Sequence, residues 1–325
     1  MKTWKIPHTD ITVSRISYGC MKIGVQWNHE PLKKEEKKFA ADLIAAALEE
    51  GINFFDHADI YMIGKSEEAF SGIWSDLGVK RDDVVLQTKC GILFEGSPNP
   101  NDPQRYNLSY DHIIQSTENS LKRLQTDYVD IMLFHRPDAL VEPEDVARAA
   151  DDLYRSGKVR YFGVSNHTAS QIALLQKYMQ QPIVANQVEL NILHSYLIDE
   201  GVEFNRINSQ SRMAEGTLDY CRLHDIMVQA WAPVAGGKMF VDPSKESDPR
   251  IKNTAALIAE LSKQKQTSKE AIALAWLLRH PAKILPVVGT TNIQRLKDAC
   301  LADDIELSRE EWYSLYIAGK GVPLP

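Results

Sequence analysis

Short apolar, strand-like runs alternate with helix-like segments along the chain, an order that predicts an α/β protein with βαβ units and a parallel sheet. About eight such repeats fit into the 325 residues, the number that closes a (β/α)8 or TIM barrel. A doubly wound open sheet is the alternative. Such a sheet normally opens on a glycine-rich turn, and neither G-x-G-x-x-G nor a Walker A pattern occurs. No low-complexity linker divides the sequence, so residues 1–325 read as one domain.

The elements follow in order. Met1–Thr12, with a turn at His8-Thr9-Asp10, reads as an N-terminal hairpin capping the barrel bottom. Strands are expected near Arg15–Cys20, Asn53–Asp56, Val84–Lys89, Val129–His135, Val159–Val164, Ile183–Gln187, Ile226–Trp231 and Ile284–Val288. Helices are expected over Glu36–Glu50, Ser66–Leu77, Asp111–Leu124, Glu144–Arg155, Ser170–Tyr178 and Ala214–Leu223. A pair over Thr254–Lys263 and Ser268–Arg279, and a short helix over Asn292–Cys300, complete the repeats. Leu43, Ala46 and Ala47 form the apolar stripe of the first helix, and Gly51 stops it. Pro281 ends the helix before it. Leu307–Pro325 adds a further C-terminal helix and an irregular end. Two inserts, Phe94–Asn107 and Asn191–Arg212, follow strands and therefore belong to the functional face.

Composition narrows the function. A net charge of −7 argues against nucleic acid or an anionic membrane as the main partner. Cys20, Cys90, Cys221 and Cys300 form no C-x-x-C pair and read as free thiols of a reducing compartment. Cys90 follows Lys89, but no His-based activating pattern stands beside it, so packing is the simpler reading. The N-terminus lacks an apolar core of signal-peptide length, and Ile272–Leu278 is too short to span a bilayer. A cytoplasmic protein is the expectation.

Chemistry gathers at three strand ends. Asp56 and Tyr61 share Phe54-Phe55-Asp56-His57-Ala58-Asp59-Ile60-Tyr61, Lys89 closes Val84–Lys89, and His135 closes Val129–His135. In parallel α/β folds, reactive side chains collect at the carboxyl ends of strands. A phenol with a pKa near 10 is a poor proton donor at neutral pH. A Lys ammonium about 4 Å away contributes up to roughly 4 kcal/mol at an effective dielectric near 20, with desolvation opposing it. Tyr61 beside Lys89 could then give a proton to a developing alkoxide and take one back in reverse. Asp56 would hold Lys89 charged and oriented, and His135 is suited to hydrogen-bonding a carbonyl oxygen. Singly, each residue is more simply structural; their order makes the case.

At these residues the sequence resembles the aldo-keto reductase family, over nearly its whole length. Phe55-Asp56-His57-Ala58-Asp59-Ile60-Tyr61-Met62-Ile63-Gly64-Lys65-Ser66-Glu67 is similar to that family's F-D-T-A-x-x-Y-G-x-x-x-S-E signature. His57 stands for a small residue and Met62 for a common glycine. The resemblance implies Tyr61 as acid–base, supported by Asp56 and Lys89, with His135 orienting the substrate. It also implies an NADPH site. Ser165 and Asn166, in Gly163-Val164-Ser165-Asn166, and Gln187 would bind the carboxamide. Trp231 stands where the family often stacks a Tyr on the nicotinamide. Ala232-Pro233-Val234-Ala235-Gly236-Gly237-Lys238 resembles the pyrophosphate-covering loop, where glycine lets backbone N–H groups approach phosphate. Pro286–Leu296 resembles the grip on the adenosine 2′-phosphate. That segment holds Gly289, Thr290, Gln294 and Arg295, with Arg295 offering its planar fork. Some members carry Lys at the position of Gly289.

The resulting expectation is an NADP-dependent oxidoreductase that reduces an aldehyde or ketone, with Trp27, Phe94, Tyr106 and residues of Asn191–Arg212 as pocket walls. By resemblance it is a monomer, and its partner is a small-molecule carbonyl compound. Two rivals stand beside this. A metal-dependent barrel hydrolase would need His57, Asp59 and His135 as ligands, but no H-x-H or H-E-x-x-H pattern occurs. A non-catalytic barrel that binds or senses nicotinamide nucleotide is the other.

Overall fold

The protein, seen in a computed structural model that describes residues 1–203 and 215–325, is a closed barrel of eight parallel strands. An antiparallel hairpin, β1 (Thr3–Lys5) and β2 (Thr12–Ser14), comes first. The barrel strands are β3 (Ser17–Gly19), β4 (Phe54–Asp56) and β5 (Val85–Cys90), then, after a small ribbon of β6 (Ile92–Leu93) and β7 (Arg105–Tyr106), β8 (Val129–Phe134), β9 (Val159–Ser165), β10 (Ile183–Glu189), β11 (Met227–Trp231) and β12 (Leu285–Val288). Their order round the barrel is β3-β4-β5-β8-β9-β10-β11-β12, closing on β3. All eight expected strands are present, each within a few residues of its expected bounds.

Helices α1 (Lys34–Glu49), α2 (Lys65–Phe70), α3 (Ile73–Asp76), α4 (Tyr110–Leu124), α5 (Pro143–Arg155) and α6 (Ala169–Tyr178) cover the first half. Helices α7 (Tyr196–Glu203), α8 (Thr217–Leu223), α9 (Pro249–Gln264), α10 (Lys269–Leu278), α11 (Ile293–Cys300) and α12 (Arg309–Lys320) cover the rest. The helix expected over Ser66–Leu77 is two helices, because the chain breaks at Ser71-Gly72. The helix expected to begin at Ala214 begins at Thr217; Ala214 and residues 204–212 of the second insert lie outside the described residues. None of the described helices is long and apolar enough to cross a membrane.

Two layers of core hold the barrel. Inside its lower end, Ile6, Ile11 and Val13 of the hairpin pack against Phe54, Ile131, Leu133, Val184 and Leu285, so the hairpin plugs the bottom as expected. Outside the strands, a continuous cluster of Leu, Ile, Val and Phe joins the sheet to the helices. The C-terminal helix is locked by Trp276 stacked on Trp312 at 5.1 Å, and each indole N–H donates to the other residue's carbonyl. A Cβ at Gly319 would lie 2.0 Å from the Ile192 carbonyl oxygen, so only glycine lets α12 reach the loop after β10.

Register sets the stage for the site. Asp56 pairs with Gln87 across β4 and β5, and Gln187 pairs with Gln229 across β10 and β11. All four sit near the carboxyl end of the barrel, so their side chains meet inside it.

Candidate active site

Lys89 is fully buried, and its ammonium donates three hydrogen bonds: to Asp56 Oδ2 at 2.8 Å, the His57 carbonyl at 2.8 Å and Tyr61 Oη at 3.0 Å. That uses all three N–H groups. The strand end makes this possible. After β4 the chain keeps pairing with β5 through His57 N–H to Gln87 O and Asp59 N–H to Lys89 O. A tight turn starting at Tyr61 then swings the phenol back over the barrel mouth. Met62 and Ile63 in this turn have φ of 49° and 58°. Non-glycine residues rarely hold that left-handed conformation, and the surrounding contacts must impose it. Position 62 is where the resembling signature has glycine.

Burial pulls the Lys89 pKa down, but the Asp56 carboxylate and the Tyr61 oxygen outweigh it, and the ammonium titrates above its usual range. Tyr61 goes the other way from the expectation. Burial raises the phenol and Asp56 adds to the rise; Lys89 opposes them without winning, so the pKa lies above that of a free tyrosine. His135, its ring 6.0 Å from that of Tyr61, is kept neutral by burial and then by the charges of Lys89 and Arg136. His57 packs edge-on against Phe70 at 4.6 Å, and burial, with Lys89, pushes its pKa down to about 3. It does not line the cavity, and no three His, Cys, Asp or Glu side chains among the described residues gather to hold a metal.

A ring of amides backs Asp56. Its Oδ1 accepts from Gln87 Nε2 at 2.6 Å and Gln187 Nε2 at 3.0 Å. Those same nitrogens donate to Gln229 Oε1 at 2.8 and 2.9 Å, and Gln229 Nε2 donates to Gln87 Oε1 at 2.9 Å. Both Gln187 N–H groups are therefore spent inside the barrel, and its Oε1 is left as an acceptor for a ligand. The sequence reading passed over Gln87 and Gln229. A polar residue inside an otherwise apolar strand run was the available signal.

Above this floor opens a cavity of about 620 Å³. Asp56, Tyr61, His135, Ser165, Asn166, Gln187, Trp231, Ala232, Pro233, Val234, Gly236, Gly289, Thr290 and Arg295 all line it, as do Trp27 and Phe94, which meet edge-to-face at 5.7 Å. Lys89 lies just beneath. Lys238, Gln294 and Tyr106 do not line it: Lys238 is exposed, Gln294 donates to Asp298, and Tyr106 pairs with Ile92 in the β6–β7 ribbon. Asn166 donates to Ser165 Oγ at 2.7 Å and accepts from Trp231 Nε1 at 3.0 Å. Gly236 and Gly237 have positive φ and open space where a Cβ would stand, a backbone cradle that phosphate oxygens can approach. Arg295 makes no ion pair among the described residues, and its backbone N–H is capped by Asn292 Oδ1 at 3.0 Å. Arg136, which the sequence reading also passed over, follows His135 into the cavity.

Gln87→Leu keeps the volume but removes one of the two donors to Asp56 Oδ1 and leaves Gln229 Nε2 without its acceptor. We expect a loss of about 1–3 kcal/mol, the cost of leaving a buried polar partner unsatisfied, seen as a lower urea midpoint at unchanged slope. A parent-like midpoint would show that the amide ring carries no stability.

The described chain is similar to known proteins throughout. A family model described as Aldo/keto reductase family matches residues 15–318. An uncharacterized oxidoreductase, YcsN, of Bacillus subtilis is 35% identical over 317 residues, 97% of each chain. A 6-dehydroglucose reductase of Agrobacterium fabrum is 33% identical over 312 residues, 96% of each. The solved structure of a glycerol dehydrogenase from Gluconobacter oxydans superposes with a TM-score of 0.80 at 23% identity, covering 99% of this chain and 97% of the other, and shares the fold. With its family model spanning almost the whole barrel and relatives above 30% identity end to end, the chain belongs to the aldo-keto reductase family.

Proposed function

We propose that the protein reduces an aldehyde or ketone to an alcohol with NADPH, Tyr61 acting as general acid. The observation that carries this is the Lys89 ammonium bridging Asp56 and Tyr61 at 2.8 and 3.0 Å directly under the cavity. Bound NADPH would supply the hydride that the carbonyl carbon accepts. The residues present fit that group. Ser165, Asn166 and the free Oε1 of Gln187 offer hydrogen bonds to a carboxamide, Gly236 and Gly237 offer a phosphate cradle, and Trp231 offers a ring to stack on.

The protein's own part is the proton. The carbonyl oxygen sits against Tyr61 Oη and the neutral His135 ring, which helps fix its direction. As negative charge grows on that oxygen, the phenol proton moves onto it. A raised phenol pKa does not prevent this, because an alkoxide is more basic than a phenolate. The phenolate left behind is held by the Lys89 ammonium, an interaction stronger after transfer than before. Asp56 keeps that ammonium charged and pointed. Placing the 2′-phosphate at Arg295 and Thr290 favours NADPH over NADH; Gly289 adds no side chain there.

Tyr61→Phe is expected to lose roughly 10²- to 10⁴-fold in carbonyl reduction, the usual scale of general acid–base catalysis, while still binding cofactor. Initial-rate NADPH oxidation over a panel of aldehydes and ketones measures it, and a rate within a few-fold of the parent would remove Tyr61 from this role. Arg295→Ala is expected to weaken NADPH binding by about tenfold, the lower end of what a charge-assisted bond contributes, and to leave NADH nearly unchanged. Paired cofactor titrations decide; equal losses would show that Arg295 does not read the phosphate.

A further inference from the structure

Among the described residues, one half-buried cation in the cavity wall remains without a task. Arg136 directly follows His135, is half-buried and lines the cavity. It makes no hydrogen bond or ion pair among the described residues; its one contact is a guanidinium 5.9 Å from the Trp231 ring centre. Asp138, two residues on, is already engaged, accepting from the backbone N–H groups of Leu108 and Leu140 at 2.9 Å each. A half-buried guanidinium with five donors and no partner is costly unless something else supplies the acceptors.

By barrel order the Arg136 backbone sits opposite the segments proposed to hold the nucleotide phosphates. β8, which Arg136 follows by two residues, is the fourth strand from β12 in either direction round the barrel, so the two strands are diametrically opposed. Gly289, Thr290 and Arg295 follow β12, and the Gly236-Gly237 cradle follows β11 beside it. Arg136 instead shares its side of the mouth with His135, and lies between β5, which carries Lys89, and β9, which carries Ser165. The other described walls near the catalytic residues include the apolar Ile60, Ile92, Trp27 and Phe94, with the exposed Lys22 following β3.

We propose that Arg136 is a specificity residue that binds a carboxylate on the carbonyl substrate, so that the preferred substrates are oxo acids with an apolar or aromatic body. This rests on the carbonyl reduction proposed above. The planar fork of Arg136 matches a carboxylate through two parallel N–H···O bonds, and among the described residues it is the half-buried cation beside His135 in the cavity wall. The charge also bears on His135, whose imidazole Arg136 helps keep neutral.

The test compares 4-carboxybenzaldehyde with its methyl ester, alike in body and carbonyl but different in charge, on parent, Arg136→Leu and Arg136→Lys. The parent should favour the acid in kcat/KM. In Arg136→Leu the acid-to-ester ratio should fall by about 10- to 100-fold, the range for a hydrogen-bonded charge pair, and Arg136→Lys should recover part of it. A ratio that stays constant overturns the inference, as does a loss of NADPH affinity that accounts for the whole effect. A parent that reduces neither aldehyde counts against the proposed reduction itself. Titration calorimetry with benzoate and benzamide needs no turnover and then decides the inference alone. Benzoate bound more tightly than benzamide by the parent but not by Arg136→Leu supports it, and equal binding overturns it.

Discussion

A buried ammonium beside a buried carboxylate is stable only when each proton and lone pair has a partner and the geometry is held from all sides. Lys89 and Asp56 impose that demand on the mouth of this barrel, and much of the surrounding architecture answers it. The ammonium's third proton goes to the His57 carbonyl, which requires β4 to continue alongside β5 beyond Asp56. The carboxylate's second oxygen needs donors, and Gln87 and Gln187 provide them from two strands, held in turn by Gln229. Because Gln187 belongs to both that ring and the cavity wall, the proposed acid–base residues and the proposed carboxamide site are tied together mechanically.

The same demand explains where the backbone is strained. Tyr61 must return over Lys89 within a few residues of the strand end, and the chain manages it with Met62 and Ile63 at positive φ. Positive φ costs of order 1–3 kcal/mol for such side chains, so packing elsewhere has to hold them there. Buried Glu67 contributes: it accepts from Thr88 Oγ1 at 2.6 Å and pairs with Arg123, fastening α2 to β5 and α4 directly behind the turn. His57 has no hydrogen-bond partner for either ring nitrogen among the described residues, and its packing on Phe70 is its visible contribution.

Much of this was legible in the sequence. Eight apolar runs gave eight barrel strands because parallel strands buried on both faces leave continuous β-branched and aromatic stretches. Asp56, Lys89 and His135 were readable because each ends such a run, and Tyr61 because it follows at a short fixed distance. The cavity side of residues 231–236 and 289–295 was readable only through family resemblance; nothing in Gly236-Gly237 alone separates a phosphate cradle from an ordinary turn. Gln87 and Gln229 escaped because a single polar residue inside a strand does not reveal its partners, and these two, on β5 and β11, stand four barrel strands apart in chain order. The direction of the Tyr61 shift escaped for a different reason. The attraction of Lys89 can be guessed from spacing, whereas the opposing cost of burial depends on how tightly the mouth closes round the phenol. The break at Ser71-Gly72 was hidden by a helical pattern that continues across it.

The central claim is that the Lys89 charge governs the proton on Tyr61. The most direct measurement is the pH dependence of kcat/KM for carbonyl reduction in the parent and in Lys89→Met. Removing the ammonium takes away the one large influence that lowers the phenol pKa. The account predicts a much slower enzyme whose descending alkaline limb moves to higher pH, since the phenol then holds its proton longer. A variant with the parent's limb and a rate within a few-fold of it would contradict the account.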